Sequence, residues 1–96
     1  MEPRYCVYIM TNARQTVLYT GVTGDLKQRV FNHRTHAIPG FTTRYNVDKL
    51  VFYEQHATSA TAIAREKQIK GGSRGKNVAL IDSLNPDWRD LYKDLL

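Results

Sequence analysis

The sequence holds one cysteine, Cys6, and no Cys/His cluster with the spacing of a zinc site. An internal disulfide is therefore excluded and no structural zinc is indicated, which suits a reducing, cytoplasmic setting. Also missing is any apolar run long enough to span a bilayer. The N-terminal stretch MEPRYCVYIM is too short for a membrane helix and has no secretory cleavage pattern. The expectation is a soluble, unprocessed chain. There is no internal repeat, low-complexity tract or linker, and 96 residues can build one core but not two. Residues 1–96 are accordingly read as a single domain.

Acidic residues are scarce over most of the length. Residues 1–81 carry 12 Lys/Arg against 5 Asp/Glu, whereas residues 82–96 bring Asp82, Asp87, Asp90 and Asp94 against Arg89 and Lys93. The net charge of +5 thus resides in the body of the domain. Such a distribution suits a polyanionic partner, although many domains of similar charge bind no anion.

Local patterning gives an α+β reading. Tyr5 to Met10 is rich in β-branched and aromatic residues, Thr11 to Gln15 breaks the run, and Val17 to Thr23 resumes it, which predicts a hairpin. A turn centred between Ala13 and Arg14 sets Tyr8 opposite Tyr19, both rings on one face. Gly24-Asp25 supplies a turn and an N-cap for a helix from Leu26 to His36, with Arg29, His33 and His36 along one stripe. Ala37 to Asn46 contains Pro39-Gly40 and has no period, so it is read as a loop. Lys49 to Glu54 is a third strand, apolar enough to be central or covered on both faces.

Thr58 or Ser59 caps a second helix to Lys70, stopped by Gly71-Gly72, with Ala60 and Ile63 expected inside and Glu66 beside them. Ser73 caps a third helix with Val78, Leu80, Ile81 and Leu84 as its apolar face. Asn85-Pro86 starts a fourth, carrying Trp88, Leu91, Tyr92 and Leu95, with Trp88 and Tyr92 assigned to the core or a dimer surface. The predicted fold class is α+β, a three-stranded antiparallel sheet flanked by helices in the order ββαβααα.

Taken singly, the polar residues on this framework have ordinary explanations. A strand tyrosine is commonly an amphipathic ring, and Arg29 or His33 on a helix is commonly solvated. Glu66, expected to be partly inward, wants a partner, and Arg65 or Lys70 would serve. Together they form a pattern: Cys6-Val7-Tyr8 on the first strand, Tyr19-Thr20-Gly21 ending the second, Arg29 and His33 on the first helix, and Glu66 on the second.

In that pattern the chain resembles the GIY-YIG nuclease superfamily, particularly compact stand-alone bacterial members related to the nuclease domain of the bacterial excinuclease. The resemblance runs from Tyr5 to about Leu91. Cys6-Val7 and Thr20 depart from the family's usual small or branched apolar residues at positions that serve strand packing. The resemblance implies a metal-dependent endonuclease acting on DNA more readily than RNA, structure-selective rather than sequence-specific. The alternative is a non-catalytic nucleic-acid-binding protein on the same scaffold.

The roles it implies begin with Glu66, which holds one divalent ion, Mg2+ or Mn2+; a single carboxylate suffices because magnesium retains water ligands. Arg29 clamps the scissile phosphate with a permanently charged, forked donor. Tyr8 or Tyr19 positions or deprotonates the attacking water, for which cationic neighbours must lower a phenol pKa of about 10. His33 shares the base role or donates to phosphate. Gly21 lets a backbone or substrate approach closely. Asn77 or Lys67 completes the phosphate contacts, and Arg65, Lys67, Lys70, Arg74 and Lys76 form a patch that either tracks phosphates or is an ordinary solvated edge. The aromatic and basic residues Phe41, Arg44 and Tyr45 either stack on an unpaired base or pack their own loop. A monomer or weak homodimer is expected, and repair, recombination and mobile-element defence all suit such an enzyme.

Overall fold

The computed structural model describes residues 5–37 and 39–96. Three strands, β1 (Tyr5–Thr11), β2 (Leu18–Thr23) and β3 (Lys49–His56), form one antiparallel sheet in the order β2-β1-β3. Helices α1 (Leu26–Arg34), α2 (Phe41–Arg44), α3 (Ser59–Lys70) and α4 (Arg74–Leu84) and a closing 3-10 turn, Leu91–Leu95, complete the chain. The α+β sheet with flanking helices agrees with the sequence reading. No helix among the described residues is long and apolar enough to cross a membrane.

Strand β1 is central and apolar on both sides because each side meets helices. Val7 and Ile9 pack with Phe52, with Ala62 and Ile69 of α3, and with Ile81 and Trp88. Tyr8 and Met10 pack oppositely with Leu50, Val47, and Leu26 and Val30 of α1. Strand β3 is an edge strand, yet both its faces are covered. An irregularity in its pairing, where Ile9 faces Phe52 but Met10 faces Leu50, leaves Val51 as an extra residue.

The hairpin register differs from the expected one. Tyr8 pairs with Gly21 and Tyr19 with Met10, so the turn is centred between Arg14 and Gln15. The Asn12 side chain sets this loop: its Oδ1 accepts from the Thr16 and Val17 amides at 2.9 and 3.1 Å, while Gln15 takes a left-handed φ of 59°. A two-residue offset preserves side-chain parity, so Tyr8 and Tyr19 still share a face, now as diagonal neighbours.

The predicted N-caps form. The side chains of Asp25, Thr58 and Ser73 accept from the amides of Gln28, Thr61 and Lys76 at the starts of α1, α3 and α4. Helix α1 ends at Arg34, which leaves His36 outside it at φ 55°. The expected loop 37–46 contains α2, entered through Gly40 at φ 147°, a conformation that favours glycine. Helix α3 buries Ala62 and Ile69 rather than Ala60 and Ile63, and Ile63 is 42% exposed. On α4, Ile81 is buried but Leu84 is 65% exposed.

The predicted α-helix from Pro86 does not form. Asn85 is instead a buried hub, its Nδ2 donating to the Val51 and Arg89 carbonyls and its Oδ1 accepting from the Arg89 amide. That wrap forces Trp88 to φ 52°, where its indole N–H donates to Asp82 at 2.6 Å. Trp88 therefore packs on one side of the sheet and Tyr92 on the other.

Candidate active site

Four predicted residues converge where β1, β2 and α1 meet. The Tyr8 ring crosses the sheet toward Gly21, which has no Cβ to obstruct it; a Cβ there would lie 2.5 Å from the Tyr8 oxygen. The space that glycine opens is thus filled by the protein's own phenol, not left free for a substrate. Tyr8 is fully buried. Its oxygen accepts from Arg29 Nε at 3.4 Å and lies 3.1 Å from His33 Nε2. His33 Nδ1 lies 3.0 Å from the Thr42 hydroxyl.

This chain of contacts fixes its own protons. Arg29 can only donate, so the buried Tyr8 hydroxyl must direct its hydrogen at His33 Nε2, which makes His33 a neutral imidazole protonated on Nδ1 and donating to Thr42. The electrostatics agree. Burial, with the Arg29 charge beside it, lowers the His33 pKa below its ordinary value.

For Tyr8, desolvation opposes the attraction of Arg29 and wins, pushing its pKa up to about 12. The cationic neighbour invoked to activate the phenol does not do so here. Arg29, in turn, is held above its already high value, chiefly by its hydrogen bond to Tyr8.

Tyr19 packs diagonally beside Tyr8, ring centroids 6.3 Å apart, and edge-on to His33 at 5.5 Å. Unlike Tyr8 it is only partly buried. Tyr19, Arg29, Asn32, His33 and Phe41 line a cleft of about 140 Å³. A second cleft of about 310 Å³ lies across Tyr19 and Phe41, bounded by Thr20, Lys70 and Asn77.

Glu66 lies close enough for its charge to act on Tyr8, and its Oε2 is paired with Lys70 Nζ at 2.9 Å. Of the two partners the sequence offered Glu66, Lys70 is the one used. Arg65 turns away, its Nε 3.0 Å from Glu54 and its Nη1 2.7 Å from Gln68. Arg74 is engaged too, donating to the Gln15 and Thr16 carbonyls at 2.8 and 3.4 Å and bracing the hairpin loop against α4. Lys67 and Lys76 are exposed, and Lys76 and Asn77 line a further cleft with Gly71 and Gly72. The predicted basic patch is therefore not one free surface. Thr42, which orients His33, had no signal in the sequence, because its link to α1 exists only once α2 has folded.

The family model for the GIY-YIG catalytic domain matches residues 4–77, the span that carries every group just described except the closing turn. The chain belongs to the GIY-YIG family. It is therefore a member of a nuclease family whose enzymes generally depend on divalent metal ions. Relatives of similar size include the UPF0213 protein SSP2268 of Staphylococcus saprophyticus, 32% identical over 81 residues, which span 84% of this chain and 96% of that protein. The UPF0213 protein NP_0776A of Natronomonas pharaonis is 32% identical over 84% of this chain and 94% of its own length. The solution NMR structure of the UPF0213 protein BH0048 from Bacillus halodurans superposes with a TM-score of 0.58 at 24% identity, covering 93% of this chain and 94% of that one, a likeness of fold.

Proposed function

We propose that this GIY-YIG protein is a metal-dependent endonuclease that hydrolyses phosphodiester bonds in DNA, selecting structure rather than sequence. The observation that carries this reading is the convergence of Arg29, Tyr19 and neutral His33 on one cleft, with the Glu66 carboxylate close behind. A scaffold with no chemistry to perform has no need to desolvate a phenol and an imidazole around a guanidinium. The basic body of the chain supplies attraction for the polyanion.

Glu66 suits a divalent ion, since its carboxylate already faces the cationic Lys70 ammonium, and that lysine side chain is about half exposed and can yield. Among the described residues no group of three His, Cys, Asp or Glu side chains converges, so water and phosphate oxygens complete the coordination, as suits Mg2+ or Mn2+. When bound, the ion neutralises charge developing on the phosphoryl and leaving oxygens.

The protein's own groups divide the remaining work. Arg29, aimed by its bond to Tyr8, holds the scissile phosphate and gains strength as charge builds. Tyr19 faces the cleft and orients the attacking water. Tyr8, buried with its proton committed to His33, is a positioning residue, and His33 and Thr42 hold it in place. Asn77 and Lys70 border the second cleft and contact the strand there, while Lys67 and Lys76 add longer-range attraction. Arg65 and Arg74 serve the fold first. Buried Cys6 suits the cytoplasm.

The test is incubation of purified protein with supercoiled, branched, single-stranded and duplex DNA and with RNA, in Mg2+, Mn2+ or chelator. Cleavage that chelator abolishes is expected, strongest on branched or unpaired DNA. Binding without cleavage in either metal contradicts the reading and favours a non-catalytic nucleic-acid-binding protein.

A further inference from the structure

The cleft opens onto a row of aromatic rings that the proposed hydrolysis does not use. Tyr19 stacks on Phe41 with centroids 6.1 Å apart and planes 29° apart, and Phe41 packs on Tyr45 at 4.8 Å. Exposure rises along the row: Tyr19 is partly buried, whereas Phe41 and Tyr45 are 48% and 42% exposed. Large rings so accessible leave substantial apolar surface in water, which calls for an explanation. They are not loosely held. Helix α2, which carries them one turn apart, is fastened by the Thr42–His33 contact and by the Val47 amide donating to the Thr42 carbonyl at 2.8 Å.

The charge around the row is positive. The Arg44 guanidinium lies 5.6 Å from the Tyr45 ring, Arg29 stands in the first cleft and Lys70 in the second, and Phe41 forms the wall shared by both. A flat aromatic surface within a basic rim matches an aromatic ring carried on an anionic backbone, the chemistry of a nucleotide. In a duplex the base faces are already stacked and hidden, so only an unpaired base can use this surface.

We propose that Phe41 and Tyr45 form a stacking platform for an unpaired nucleobase beside the scissile phosphate, so that the substrate is DNA with an unpaired nucleotide at the cut. This rests on the reading of the neighbouring cluster as a phosphodiester-cleaving site. The phosphate lies at Arg29, the adjoining base turns out onto Phe41, and Arg44 meets the next phosphate.

The experiment measures binding in chelator, where no cleavage occurs. The probes are a blunt duplex, the same duplex with a single-stranded tail, and a single strand, each carrying 2-aminopurine, whose fluorescence is quenched on aromatic stacking. The expected result is tighter binding of the tailed and single-stranded probes, with quenching. Phe41→Ala should weaken binding of those probes about ten- to one-hundred-fold, change duplex affinity little and remove the quenching. Phe41→Trp should restore all three, which shows that the alanine effect is not a failure to fold. Equal affinity of wild type and Phe41→Ala for the unpaired probes, without quenching in either, overturns the platform and leaves the nuclease reading standing. Failure of the wild type to bind any probe overturns both.

Discussion

Gly21→Ala places a methyl group where the Tyr8 phenol already lies. The new Cβ would stand 2.5 Å from the Tyr8 oxygen, 2.6 Å from Cζ and 2.9 Å from Cε1, whereas comfortable carbon contacts are about 3.5–4.0 Å. Tyr8 cannot simply step aside, being fully buried with its oxygen held by Arg29 and His33. Overpacking of this kind costs about 1–3 kcal/mol, and the stiffer unfolded chain of alanine returns about 0.4–1 kcal/mol. The net loss of about 1–2 kcal/mol lowers Tm by about 4–16 °C for a domain of this size. Thermal unfolding followed by circular dichroism measures it. In a Tyr8→Ala background the clash is gone, and the same Gly21→Ala change should be neutral or mildly stabilising. An unchanged or raised Tm for Gly21→Ala with Tyr8 present would refute the packing argument.

Phenolate absorbance during an alkaline titration should show one tyrosine that resists ionisation until about pH 12, absent in Tyr8→Phe. Because its folded pKa is raised above the unfolded value, the stabilisation is full below about pH 10 and lost as pH rises to about 12. It amounts to about 2–3 kcal/mol, from about 1.4 kcal/mol per pKa unit. The folded pKa of His33 is lowered, so its contribution is full above about pH 6.5 and lost as pH falls from there toward the folded pKa. A plot of Tm against pH should therefore fall more steeply on the acid side for wild type than for His33→Asn. Asn85→Ala strands the Val51 carbonyl and frees the Arg89 turn, costing about 2–4 kcal/mol in chemical denaturation, with Trp88 fluorescence reporting the loosened turn.

Much of this fold was legible because its signals are local. Asp25, Thr58 and Ser73 each mark a helix start by a side chain bonding an amide three residues on. Strand composition likewise located β1, β2 and β3. The rest depended on contacts distant in sequence. The hairpin register follows from the Asn12 staple and from the Tyr8 ring lying over Gly21, neither of which residue type alone reveals. Asn85-Pro86 resembles a helix start, yet the Val51 carbonyl across the chain claims the asparagine and turns Trp88 the other way. On α3, a choice between Ala62 and Ile63 is a rotation of one residue, and the sheet decides it.

Within the site, the grouping of Tyr8, Tyr19, Arg29 and His33 was readable from their spacing through the family resemblance. Their division of labour was not. Whether a phenol beside an arginine is acidified or suppressed depends on how deeply it is buried, and for Tyr8 burial wins. Arg65 and Arg74 read as part of a basic patch because their partners, Glu54 and the Gln15 and Thr16 carbonyls, lie on other elements.

The most direct test of the account is the single-turnover rate of DNA cleavage by Arg29→Ala beside wild type, in Mg2+ and with the variant shown to be folded. Loss of a preorganised donor to the transition-state charge predicts a rate lower by about 100- to 1,000-fold, whereas an unchanged rate would contradict the assignment of this cluster as the cleaving site.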